Sequence, residues 1–204
     1  MIIVVEGPSG AGKTTWCRTH AGANALLEAL PDHATVPTDP DAAARFWVER
    51  NVARWEQVLE REMCDGLVVV DTDPFKLHFV WTLFKNGEVT KVEWAVQRDV
   101  ARDAFAASRY ALADVFLVSN VDDATLRARR ENDPSRTRRN FERHVRLRDS
   151  LLRWYRAIDR LEPGRVVFGL PLDGITPGLL AKGKRATRSG PELFDHLMRE
   201  LEAL

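Results

Sequence analysis

Gly7-Pro8-Ser9-Gly10-Ala11-Gly12-Lys13-Thr14 decides the fold of this chain. The stretch fits G-x-x-x-x-G-K-[ST], the pattern of a phosphate-binding loop. Its flanks agree with that reading. Met1-Ile2-Ile3-Val4-Val5 is a short apolar β-branched run, expected to form a buried strand over Ile2 to Val5. Thr14-Thr15-Trp16-Cys17-Arg18 can open a helix. Strand, glycine loop and helix is the arrangement that phosphate binding needs. Glycines let the backbone curl so that N–H groups face phosphate oxygens, and the helix N-terminus adds its positive end. Gly7, Ser9, Gly10, Ala11, Gly12, Lys13, Thr14 and Thr15 are therefore the expected nucleotide-binding residues. Lys13 is expected to reach the β- and γ-phosphates of ATP, and the Thr14 hydroxyl to bind Mg²⁺.

Outward from the loop, strands and helices alternate. The first helix is expected from Lys13 to Leu30, ending at Pro31. Ala34-Thr35-Val36 is the candidate second strand, and Asp41 the candidate cap of a long helix reaching Met63. Leu67-Val68-Val69-Val70 reads as a buried strand ending in Asp71-Thr72-Asp73-Pro74. A helical region follows from Phe75 to Ala111, with a break around Asn86-Gly87. Val115 to Val118 is the next strand, and Asp122 and Asp123 start a helix through Arg130. A further helix reaches Leu161, and Arg165 to Phe168 forms a last strand. Pro171 to Pro191 reads as loop and Leu193 to Leu201 as a closing helix. This order argues for a three-layer α/β fold of the P-loop NTPase type, with a mainly parallel five-stranded sheet and one domain over residues 1–204.

The bulk numbers narrow the function. Formal net charge is +0, so no global basic field recruits nucleic acid. No run of about 18 apolar residues is present, which argues against a membrane span. The two cysteines, Cys17 and Cys64, give neither a disulfide framework nor a metal spacing. With no signal-peptide pattern, a cytoplasmic location is expected.

Val5-Glu6-Gly7 and the loop after it resemble the opening of thymidylate kinases and deoxynucleoside kinases. Two later features resemble the wider nucleoside and nucleotide kinase group. Asp71 stands at the end of the third strand, and Arg127 to Arg148 form an arginine-rich segment. The resemblance implies that this segment is a lid closing over ATP. It departs at Asp71-Thr72-Asp73-Pro74, where thymidylate kinases carry Asp-Arg plus an aromatic and deoxynucleoside kinases carry Glu-Arg-Ser. Antibiotic phosphotransferases, such as those acting on chloramphenicol, also resemble this architecture and place a base-like aspartate after the second strand, here Asp39.

A kinase reaction sets the candidate roles. Asp71 lies at the carboxyl edge of a buried strand, where open α/β sheets bind ligands, and is the expected partner of Thr14 at Mg²⁺. Asp39, Asp71 or Asp73 is the expected acceptor of the hydroxyl proton. Glu6 either touches Mg²⁺ or substrate, or ties down the loop backbone. Arg130, Arg136 and Arg138 are the expected arginine contacts to ATP, since guanidinium forks suit phosphate oxygens. Phe46, Trp47, Arg50, Phe75 and His78 are candidates for the acceptor pocket, and Arg98 and Arg102, one turn apart, for gripping an acidic acceptor group or a phosphate. The basic loop Lys182 to Gly190 either orders over the nucleotide or lies on the surface. The expected activity is transfer of the γ-phosphoryl group of ATP to a hydroxyl of a small molecule, nucleoside-like or a specialised metabolite. A regulatory NTPase or switch is the alternative; the absence of an Asn-Lys-x-Asp motif counts against a GTPase switch. Aromatics on the long second helix would permit a homodimer.

Overall fold

The computed structural model describes residues 1–28, 35–132 and 140–203. Five strands form one parallel sheet: β1 (Ile2–Glu6), β2 (Ala25–Leu26), β3 (Val68–Asp71), β4 (Val115–Val118) and β5 (Val166–Phe168), in the order β2-β3-β1-β4-β5. β1 is central, with Val5 opposite Asp71 on one side and Leu117 on the other. The helices are α1 (Lys13–His20), α2 (Pro40–Asp65), α3 (Leu77–Lys85), α4 (Lys91–Ala106), α5 (Asp123–Glu131), α6 (Phe141–Leu161), α7 (Pro177–Leu180) and α8 (Pro191–Glu202).

The strands are apolar on both faces, as a sheet covered on both sides requires. Ile2 and Val4 join Val68, Val70, Phe116 and Val118 in a core shared with α2, α3, α4, α6 and α8. Ile3 and Val5 point the other way, onto Trp16 and Cys17 of α1 and Leu179 of α7. This alternation within one strand follows from its two-residue period. A smaller cluster of Ala11, Leu126, Phe141 and Val145 sets α5 and the start of α6 against the phosphate loop.

The α/β class and parallel sheet are as expected, but several boundaries differ. α1 stops at His20, not Leu30, because Gly22 turns the chain with φ 53°. Ala25 and Leu26 then pair with Val69 and Val70, so β2 lies inside the stretch read as helix. Thr35 and Val36 form no strand, and Ala34 lies outside the described residues. The α2 cap is Asp39, whose side chain accepts from the Ala42 N–H, with Pro40 as the first helical residue. Asp41 is therefore the first-turn acid and not the cap. Among the described residues, no helix is long and apolar enough to cross a membrane.

Candidate active site

The phosphate loop leaves the carboxyl end of β1, between the carboxyl ends of β3 and β4. Gly7 is required there: a Cβ would lie 2.8 Å from the Ser119 Cβ and 3.2 Å from that of Ala11. Gly12 adopts φ 93° as it hands the chain to α1. Thr15 is exposed on the first turn of that helix. The Lys13 ammonium donates to the carbonyls of Gly7 at 2.7 Å and Pro8 at 3.3 Å. It also stands 4.0 Å from Glu6 Oε1.

Parallel pairing of β1 with β3 brings the ends of the two strands together. The Thr14 hydroxyl donates to Asp71 Oδ2 at 2.6 Å, joining loop and strand end across 57 residues. The next residue, Thr72, is held at φ 72°, a left-handed conformation that is unusual outside glycine and costs of order 1–3 kcal/mol. Arg54 of α2 reaches the same edge and donates to the Asp71 carbonyl at 2.5 Å. Trp47 and Arg50 precede Arg54 by seven and four residues, which puts all three on one helix face. Trp47 and Phe46 are half-buried and meet edge to face at 5.3 Å between ring centroids.

Behind this edge lies a buried polar group. Glu6 Oε1 accepts from the Gly7 N–H at 2.7 Å and Oε2 from the Asp73 N–H at 2.9 Å. Burial works against the Glu6 charge, but His78 when protonated, Lys13, Lys76 and the Gly7 N–H outweigh it and hold the carboxyl below the usual carboxylate range. Asp73 is fully buried, accepting from the Phe75 N–H and the Tyr155 hydroxyl, each at 2.9 Å. Burial, then the Glu6 charge, push its carboxyl up to about 7. His78 stands between them, Nδ1 at 2.9 Å from the Phe75 carbonyl and Nε2 at 3.5 Å from Glu6 Oε2. Burial pushes the imidazole down to about 4, so the neutral ring donates through Nδ1, the shorter contact.

Besides Arg54, sequence reasoning missed two residues. Glu28 lies just past β2, with its side chain 34% exposed, 2.9 Å from Lys76 Nζ and accepting from the Thr72 hydroxyl at 3.3 Å. Burial opposes its charge, but Lys76 holds the carboxyl below its ordinary range. Its position became visible only once Ala25–Leu26 was a strand. Arg129, not Arg130, reaches the phosphate loop, donating to the Ala11 carbonyl at 2.9 Å. Arg130 is turned to Glu142 at 2.8 Å and lies over the Phe141 ring at 4.8 Å. Arg136 and Arg138 lie outside the described residues.

Other candidates have different work. Phe75 is fully buried among Phe105, Tyr110, Trp154 and Phe194, in the core and not at a pocket wall. Arg102 makes a two-pronged pair with Asp195 of α8, both contacts 2.7 Å, and Arg98 turns to Asp99. Asp39 is exposed and engaged in capping α2. The Lys182–Gly190 loop is tied to the amino edge of the sheet, where Arg188 binds Asp114 and Glu62. It therefore does not lie over the carboxyl edge that carries the phosphate loop.

The all-parallel sheet order, the loop after β1 and the helical segment folded onto that loop together specify the fold. It is that of the deoxynucleoside kinases. The chain is similar to a deoxyadenosine kinase from M. mycoides with bound dATP, at 13% identity and a TM-score of 0.55, covering 82% of this chain and 90% of that one. It is also similar to the same kinase with products dCMP and a flexible dCDP bound, at 13% identity and a TM-score of 0.56 over 100% of both chains. No family model matches the chain, and no curated relative does.

Proposed function

We propose that the protein is an ATP- and Mg²⁺-dependent phosphotransferase that moves the γ-phosphoryl group to a hydroxyl of a nucleoside-like small molecule. The observation that carries this reading is the 2.6 Å contact between Thr14 and Asp71, with the Lys13 ammonium over the same loop. Among the described residues no three His, Cys, Asp or Glu side chains gather as a metal cluster. Mg²⁺ needs none here, because it takes one or two protein oxygens and completes its shell with phosphates and water. Thr14 and Asp71 suit that role. When bound, the ion neutralises charge on the β- and γ-phosphates.

The nucleoside class is favoured by the neighbouring fold, described with dATP and with dCMP, and by Arg54. Arg54 brings to the end of β3 the guanidinium that Asp71-Thr72-Asp73-Pro74 lacks. Glu28 is the proposed proton acceptor. Asp73 has both oxygens engaged in the interior, Asp71 bonds Thr14, and Asp39 caps α2. Glu28 is ionised near neutral pH, partly exposed and held in place by Lys76 and Thr72.

The test is acceptor-dependent ADP release across nucleosides, nucleoside monophosphates, sugars and hydroxylated antibiotics. Release with one class of acceptor is expected; Lys13-dependent release that ignores every acceptor would point instead to a regulatory NTPase. Glu28→Gln is expected to lower kcat by ~10²–10⁴-fold with ADP binding unchanged. Unaltered kcat would move the base elsewhere. Arg129→Ala is expected to raise the KM for ATP by roughly tenfold, the effect of about 1.4 kcal/mol. Arg130→Ala, already paired with Glu142, changes it far less; the reverse ranking in steady-state kinetics would remove Arg129 from the site.

A further inference from the structure

A carboxylate at the end of β1 is costly, since the four residues before it are fully buried and apolar. An apolar side chain there would serve the core better. Glu6 instead has its two oxygens on two different backbone amides, Gly7 of the phosphate loop and Asp73 of the turn between β3 and α3. Bonds from amides to a buried carboxylate are short and strong. Asp73 passes the connection on, because its Oδ2 accepts from Tyr155 of α6. The other end of α6 is also on the loop, through Phe141 and Val145 against Ala11 and Leu126.

We propose that Glu6 is a positioning residue: it holds the phosphate loop and the β3–α3 turn in one register, and Asp73 and Tyr155 extend that tie to α6. Thr14 and Asp71 stand on the two pieces so joined, so the register of their 2.6 Å contact depends on Glu6. Glu6 reaches no substrate in this scheme and acts through those two residues. The kinetic arm of the test rests on the phosphotransferase reading; the exchange arm does not.

Glu6→Gln keeps the shape but offers one acceptor oxygen in place of two, and turns an NH₂ group toward the other amide. Tyr155→Phe removes the far end. Backbone hydrogen exchange, ADP·Mg²⁺ binding by calorimetry and steady-state kinetics are measured on the full chain. Glu6→Gln is expected to speed exchange at the Gly7 and Asp73 amides together, by roughly tenfold or more. It is expected to lower kcat by roughly ten- to a hundredfold while the Kd for ADP·Mg²⁺ moves less than about threefold. Tyr155→Phe is expected to loosen the same two amides to a smaller degree, and the double variant to lose no more kcat than Glu6→Gln alone. Faster exchange at one amide only, parallel losses of kcat and ADP affinity, or kcat losses that multiply would each overturn the proposal. If Glu6→Gln does not fold, Tyr155→Phe decides: wild-type exchange at Gly7 breaks the tie to α6. If the wild type transfers to no acceptor, the kinase reading fails, and the exchange arm alone judges Glu6.

Discussion

Alanine at position 13 is expected to lower phosphoryl transfer by at least ~10²–10³-fold, the cost of removing one preorganised charge-stabilising donor. The fold is expected to survive. The Lys13 ammonium contacts two loop carbonyls and stands at 4.0 Å from Glu6, and it fills no part of the apolar core. Alanine is also a good residue for the first turn of α1. The loss therefore concerns charge. In the proposed reaction the transferred phosphoryl group spreads negative charge over its oxygens, and the Lys13 ammonium at the loop is the proposed group that meets it. Acceptor-dependent ADP release and the circular dichroism of the variant check this together. Wild-type turnover by folded Lys13→Ala would sink the phosphotransferase assignment, because phosphoryl transfer at this loop cannot be indifferent to that charge.

The phosphate loop was legible because its backbone requirement is written in residue types. Only glycine fits where a Cβ would strike Ser119, and Lys13 and Thr14 follow at fixed spacing. The strand ends were legible too, since unbroken runs such as Val68-Val69-Val70 suit a sheet covered on both faces. What failed depended on partners far away in sequence. Ala25-Leu26-Leu27-Glu28 reads as helix by propensity, yet Ala25 and Leu26 form a strand because β3 has an open edge, and Glu28 follows just past it, which hid Glu28. Which arginine of α5 meets the loop depends on how Leu126 seats that helix, and that is packing and not composition. Asp73 stood out as a carboxylate beside a strand end, yet its burial under Tyr155 lies 82 residues away. Phe75 was an aromatic of the right kind in the right segment, and only the core decides that it faces inward.

Arg188 carries the largest effect expected on stability. Its guanidinium bridges two buried carboxylates at the amino edge of the sheet. Nη1 and Nη2 each stand 2.7 Å from a Glu62 oxygen, while Nε and Nη2 donate to Asp114 at 2.8 and 2.5 Å. Asp114 in turn accepts from the Ile2 N–H at 2.7 Å, where β1 begins. Arg188→Ala leaves both carboxylates buried with their main counter-charge gone, and is expected to cost about 3–5 kcal/mol. For a chain of this length that is a fall in Tm of roughly 10 °C. Lysine should recover only part, because a single ammonium cannot fork between two carboxylates. The pH dependence has a definite sign. The Arg188 hydrogen bonds hold the Glu62 carboxyl well below the usual carboxylate range. Its contribution is therefore present above the unfolded carboxylate pKa of about 4.3 and lost as pH falls through the folded value. Wild type and variant should converge in acid and differ most near neutrality, in thermal and urea melts alike. A difference below about 0.5 kcal/mol at neutral pH would mean that Met1, Lys184 and Arg185 satisfy the two carboxylates without Arg188. Activity below the melting transition should be kept, since this network lies at the sheet edge opposite Lys13, Thr14 and Asp71.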